Sequence, residues 1–125
     1  MQSMILRGVV ERGESIARTL GAPTANIAIE QGSVIPGFGV YVGRALVRGQ
    51  MYNALVCVHH AQEKMQLKME VHVLGQEFEL LGESLEVTLL EKMRDLVPWP
   101  GVEKMKAMIV DDLARAQAWF LGRTF

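Results

Sequence analysis

Pro23-Thr24-Ala25-Asn26 sets a hydroxyl and a carboxamide two residues apart, just after a stretch that carries Arg18 and Gly21. In an extended segment side chains alternate between faces, so Thr24 and Asn26 point one way and Ala25 the other. Two converging oxygens suit a hard cation such as magnesium carrying phosphate oxygens. The same four residues also fit a capped turn entering a strand, because Thr and Asn often bond local backbone in turns.

Glu70 is the acid of most interest, since it lies mid-way along a run whose alternate face is wholly apolar: Leu67, Met69, Val71 and Val73 against Lys68, Glu70 and His72. A carboxylate there is either solvated or, if that face lines a barrel mouth, placed to accept a proton from a substrate hydroxyl. Cys57, His59, His60 and His72 invite a zinc reading, but no paired zinc-ligand spacing is completed, and His60 turns away from the face shared by Cys57 and His59. Arg94 could pair a phosphate or stack on a planar ring. Trp99, between Pro98 and Pro100, could offer an aromatic face or anchor the helix that follows. Most of the eight methionines are expected in the core. Phosphate-loop, nucleophile-elbow and Ser/His/Asp patterns are absent, and Gly37-Phe38-Gly39 is followed by no helix pattern, which argues against a dinucleotide fingerprint.

These residues need strands to hold them. Met4 to Val10 reads as a strand running into a polar loop, and apolar alternation resumes near Asn26. The glycine-rich segment 31–39 reads as a loop. Val40 to Val47 and Met51 to Val58 are β-prone runs separated by Arg48-Gly49-Gln50, short enough for a hairpin. Leu67 to Leu74 and Leu85 to Leu90 alternate at the strand period. Val102, Met105, Ile109, Leu113, Ala116 and Phe120 then repeat at helical spacing, with Pro100 and Gly101 just ahead of them. Five or six antiparallel strands followed by one helix suggest an all-β barrel, closed or nearly so, with the helix capping its open end.

The 125 residues are enough for one core, so a single domain over 1–125 is expected. Half are apolar and 22% charged, which excludes a disordered or fibrous chain. The net charge of −1 with no basic run argues against nucleic acid as a partner. No apolar stretch approaches the roughly 20 residues of a membrane span, so a cytoplasmic protein with no membrane partner is expected. The single cysteine, Cys57, agrees with a reducing compartment.

Gly8-Val9-Val10-Glu11-Arg12-Gly13 followed by Arg18-Thr19-Leu20-Gly21-Ala22-Pro23-Thr24-Ala25-Asn26 resembles the opening of the riboflavin kinase (flavokinase) family. Gly39-Val40-Tyr41, Glu70-Val71-His72-Val73-Leu74, Leu81-Gly82, Leu85-Glu86-Val87, Met93-Arg94, Ile109 and Asp112 follow in that family's order, and Trp99 stands where a phenylalanine is usual. The resemblance implies a six-stranded Greek-key barrel with a C-terminal helix that transfers the ATP γ-phosphate to riboflavin, making FMN. It further implies that Thr24 and Asn26 hold magnesium, that Gly13, Arg18, Gly21, Thr24 and Asn26 hold the ATP phosphates, that Glu70 is the general base, and that Arg94 and Trp99 help enclose the flavin. A monomer is expected, with riboflavin and ATP as its partners. No nucleotidyltransferase-like domain precedes the barrel in this sequence, so the kinase step alone is expected.

Against the family pattern, Ala17 replaces a glycine and Ala22 an aromatic residue, Cys57-Val58-His59 replaces asparagine-isoleucine-glycine, and Leu96 replaces an acid. These changes leave a second reading open, a barrel that binds a flavin or nucleotide without turnover.

Overall fold

The computed structural model describes residues 4–12, 24–60 and 66–125. Six strands follow the alternations: β1 (Met4–Glu11), β2 (Ala25–Ile29), β3 (Gly39–Val47), β4 (Gln50–His60), β5 (Leu67–Val73) and β6 (Ser84–Arg94). All pairings are antiparallel and the sheet closes on itself in the order β1-β2-β5-β4-β3-β6. Because β6 returns to lie beside β3, the order β6-β3-β4-β5 is the Greek-key arrangement.

The hairpin between β3 and β4 is one residue tighter than the sequence suggests. Val47 pairs with Gln50, leaving only Arg48 and Gly49 in the turn, with φ values of 50° and 84°. Two positive φ values mark the turn whose twist matches that of the flanking strands.

Alternate side chains fill the barrel. Leu6, Ile27, Tyr41, Val56, Met69 and Val87 are all essentially inaccessible to solvent, and each large apolar side chain so buried contributes roughly 1.5–3 kcal/mol. The interior is therefore a core with no room for a ligand. At Gly8 the wall is tightest, since an added Cβ would lie 2.1 Å from the Ala28 carbonyl oxygen. The methionines depart from expectation: among the described residues only Met69 is in this core, while Met105 lines a cavity outside it and Met51 is exposed.

The helix α1 (Val102–Phe120) also departs from expectation. It does not cap an open end but lies along the outside of the barrel, where Ala116 and Phe120 pack with Val42, Leu55, Leu90 and Met93 from the outward faces of β3, β4 and β6. A closed and filled barrel leaves no apolar end to cover, whereas the apolar outward positions of those strands need a partner. Val102, assigned to the buried stripe, is 53% exposed; Asp112, off that stripe, is buried.

Candidate active site on the outer wall

Strand register assembles the site. Glu11 pairs with Asn26, Asn26 with Glu70, Glu70 with Cys57, Cys57 with Val40, and Val40 with Arg94. Directly opposed residues share a sheet face, so one row of outward side chains crosses all six strands. The polar face of β5 is thus the outer wall of the barrel, half-covered by α1 and the segment before it, and not a barrel mouth.

Ala25 packs against the barrel core, which turns Thr24 and Asn26 outward as alternation requires. Thr24 Oγ1 donates to Glu70 Oε1 across 3.4 Å. The other carboxylate oxygen, Oε2, lies 3.4 Å from His59 Nε2. That nitrogen is buried and makes no hydrogen bond among the described residues, so the ring is close enough for charge attraction but not aimed for a hydrogen bond. Leaving a buried polar atom in this state costs about 1–3 kcal/mol.

Two cavities of opposite character flank Thr24. One, of about 180 Å³, lies between the strands and α1 and is walled by Val40, Leu55, Cys57, Leu96, Trp99, Met105, Ile109 and Leu113, with Glu70, His72 and Arg94 at its polar edge. The other, of about 290 Å³, is bounded by Glu11, Arg12, Thr24, Asn26, Phe78, Glu79, Leu80 and Leu81. Both include Thr24.

Arg94 lines the apolar cavity, yet its charge is already engaged. Its Nε donates to Asp112 Oδ1 at 2.9 Å, its Nη2 to Asp112 Oδ2 at 2.7 Å, and its Nη1 to the Asp95 carbonyl at 3.1 Å. The paired carboxylate holds the guanidinium's proton more firmly still, raising its pKa. Arg94 therefore keeps little of its fork free for phosphate. Trp99 is 53% exposed and forms part of the cavity rim.

Burial pushes the Cys57 thiol up to about 12, and the nearby Glu70 charge adds to the effect. It is an unreactive, neutral wall residue. No group of three or more metal-ligating side chains occurs among the described residues. Gly13, Arg18 and Gly21, and the changed positions Ala17 and Ala22, lie outside the described residues.

Sequence reading missed three things here. The Glu11–Lys68 ion pair beside the row, the His59–Glu70 contact, and the lining of the second cavity by Phe78, Leu80 and Leu81 all depend on cross-strand register. Only the shared outward parity of Cys57, His59 and Glu70 could have hinted at the second of these.

A family model described as Flavokinase: Riboflavin kinase matches residues 1–120. Among curated proteins, the chain is 33% identical over 117 residues to the bifunctional riboflavin kinase/FMN adenylyltransferase of Mycoplasma pneumoniae, covering 94% of this chain and 43% of that one. It is 25% identical over 124 residues to the protein of the same description from Bacillus subtilis, covering 95% of this chain and 39% of the relative. The chain thus spans about two fifths of the length of the curated relatives it matches. Among solved structures, riboflavin kinase from Trypanosoma brucei shares the fold, with a TM-score of 0.69 at 22% identity over 98% of this chain and 82% of that one. A structure described as a macrolide-efflux protein from Streptococcus pneumoniae superimposes with a TM-score of 0.82 at 26% identity, over 92% of this chain and 38% of its own.

Proposed function

The chain belongs to the riboflavin kinase family, and from that premise we propose that it transfers the γ-phosphoryl group of ATP to the terminal hydroxyl of riboflavin's ribityl chain, releasing FMN and ADP. The observation that carries this reading is the meeting of an apolar and a polar cavity at Thr24, with the Glu70 carboxylate beside it. Each cavity alone falls below the roughly 300–1,000 Å³ typical of ligand sites. Together they suit two substrates whose reacting ends meet between them.

In this reading the apolar cavity takes the flavin ring, with Trp99 and the Arg94 plane as its walls. The polar cavity takes the nucleotide. Glu70 accepts the proton of the attacking hydroxyl as its oxygen bonds to the γ-phosphorus, and the bond from that phosphorus to the bridging oxygen breaks with its electron pair leaving on ADP. Thr24 keeps one carboxylate oxygen of Glu70 directed at the junction. Orientation of this kind is most of what a protein must supply for phosphoryl transfer.

Thr24 and Asn26 offer a neighbouring hydroxyl and carboxamide on one outward face, an oxygen donor set that fits magnesium. A bound magnesium ion would supply neutralisation of phosphate charge. Gly13, Arg18 and Gly21 enter this reading as further phosphate contacts through the family resemblance alone. The working unit is read as a cytoplasmic monomer acting on riboflavin and ATP, with neither nucleic acid nor a membrane as partner; among the described residues no helix is long and apolar enough to cross a membrane.

Purified protein incubated with riboflavin, ATP and magnesium should yield FMN, resolved by chromatography. Absence of FMN while riboflavin fluorescence still reports binding would instead support a binding barrel without turnover, a reading motivated by Cys57 and His59 standing on the wall beside Glu70.

A further inference from the structure

We infer that Arg48, at the tip of the β3–β4 hairpin, is a positioning residue for the nucleotide: its guanidinium holds the Phe78–Glu79 stretch in place as one wall of the polar cavity. The inference rests on the reading of that cavity as the ATP site.

The wall belongs to the connection between β5 and β6, whose two ends are fixed by main-chain hydrogen bonds. At one end the Leu74 N–H donates to the Asn53 carbonyl; at the other the Gly82 N–H donates to the Val10 carbonyl and the Glu83 N–H to that of Leu80, each at 2.9 Å. Between these anchors, residues 75–79 make no hydrogen bond from main chain to main chain among the described residues. Arg48 reaches into this gap. Its Nη2 donates to the Glu79 carbonyl at 3.1 Å, while Nε and the same Nη2 donate to the two Glu83 carboxylate oxygens at 3.1 and 2.7 Å. The guanidinium carbon lies 5.8 Å from the centre of the Phe78 ring, and Tyr52 of β4 meets that ring edge-on at 5.1 Å. The hairpin thus grips both the ring of Phe78 and the backbone of Glu79, two residues that line the polar cavity.

Two observations set this contact apart from an ordinary surface ion pair. Arg48 and Glu83 are both exposed to solvent, and exposed pairs add little to stability, so the needs of the fold alone do not account for a fork spent on one connection. Arg48 also has a φ of 50°, the only positive value at a non-glycine position among the described residues. The turn by itself is better served there by Asn or Gly, so the cost of this backbone conformation accompanies the side chain. A wall that is loose in the free protein must be ordered when nucleotide binds, which weakens binding; a wall already held does not.

The test is steady-state FMN formation by the wild-type protein, Arg48→Met, Arg48→Lys and Glu83→Gln. Arg48→Met should raise KM for ATP about threefold to tenfold, the cost of ordering side chains on binding, with kcat and KM for riboflavin changed by less than about twofold. Arg48→Lys keeps the charge but not the fork, and should resemble Arg48→Met. Glu83→Gln separates two roles by sign. Were Arg48 a direct phosphate contact, freeing it and removing a nearby negative charge would lower KM for ATP, whereas loosening the wall raises it. On a Phe78→Ala background Arg48→Met should add little. A folded Arg48→Met protein with unchanged KM for ATP, an Arg48→Lys protein that behaves as wild type, a lowered KM for ATP in Glu83→Gln, or an undiminished effect on the Phe78→Ala background would overturn the inference.

A second readout does not need turnover. Amide hydrogen exchange at Phe78 and Glu79 should quicken about tenfold or more in Arg48→Met, with the amides of the barrel strands unchanged. Unchanged exchange at those two residues overturns the inference. A wild-type protein that makes FMN beside a kinetically silent Arg48→Met overturns this inference alone; a wild-type protein that neither makes FMN nor binds a non-hydrolysable ATP analogue sinks the reading of the cavity, and this inference with it.

Discussion

Thr24 Oγ1 and Glu70 Oε1 lie 3.4 Å apart although 46 positions separate them in the chain. β2 and β5 are neighbours in the barrel, and the pairing of Asn26 with Glu70 brings the residue just ahead of β2 alongside the carboxylate. Glu70→Gln keeps the shape but removes the base, so kcat should fall by roughly 10²–10⁴-fold, the range of a general base. Thr24→Ser should retain most activity, and Thr24→Val should lose it chiefly in kcat. Steady-state FMN formation checks this. A Glu70→Gln protein with wild-type turnover would show that another group takes the proton.

The Arg94–Asp112 pair ties the end of β6 to the middle of α1, with side-chain exposures of 20% and 6%. Two parallel hydrogen bonds between charged groups make it a strong contact, but its net value is set by what is left when one partner goes. Asp112→Ala leaves a guanidinium against the apolar cavity and should destabilise by about 3 kcal/mol, the low end for breaking a buried pair, because Arg94 keeps some contact with water. Replacing both by Met and Leu should cost much less. Urea unfolding of the single and double variants gives the comparison, and equal losses would mean that packing rather than charge holds α1 in place.

Cys57 sets an alkaline limit. A thiol pushed up to about 12 stays protonated in the folded protein while the unfolded chain ionises near about 9. The folded state then binds the extra proton, so stability is unaffected by this group below about pH 9 and falls by up to about 1.4 kcal/mol per unit as pH rises from there toward 12. Burial raises the Tyr41 phenol as well, in the same direction. Cys57→Ala should flatten this limb in a pH series of urea melts. At pH 8 the thiolate fraction is about a thousandfold below that of an exposed cysteine, so iodoacetamide should label the native protein slowly and the urea-unfolded protein fast. Rapid native labelling would place the thiol outside the wall.

Much of the barrel was legible in local pattern. The period-two alternation of Leu67 to Val73 and of Leu85 to Leu89 is the direct signature of a wall with one face in a core. That pattern gives the inward face but is silent on what covers the outward one, which is why α1 was expected over an open end. The outward residues Val42, Leu55 and Leu90 betray the true contact only once register sets them side by side. The site divides in the same way. The shared outward direction of Thr24 and Asn26 is legible in their spacing, and the outward place of Glu70 in its strand, while the roles proposed for them come from the family resemblance. The contacts of Glu70 with His59, and of Arg94 with Asp112, join residues 11 and 18 positions apart on different elements, and no local pattern encodes them. Asp112 was visible only through the family resemblance, because an acid near a helical stripe looks like solvent-facing surface until its arginine is placed.

Trp99 and Trp119 give the apolar cavity its own optical test. Trp99 stands at the rim, between two prolines that restrict its backbone, and is half exposed. Trp119 faces elsewhere: its Nε1 donates to Glu91 at 2.7 Å and its ring lies against Phe120 and Phe125. If the flavin ring enters this cavity, it should quench Trp99 by contact and Trp119 far less. Riboflavin titration should therefore quench the wild-type and Trp119→Phe proteins alike, with most of the quenching gone in Trp99→Phe. Trp99→Ala should weaken riboflavin binding by about threefold to tenfold, as expected for losing an aromatic contact worth roughly 0.5–1.5 kcal/mol. Because the side chain is half exposed, urea stability should change little. Quenching that persists in Trp99→Phe and vanishes in Trp119→Phe would move the flavin to the other end of the helix.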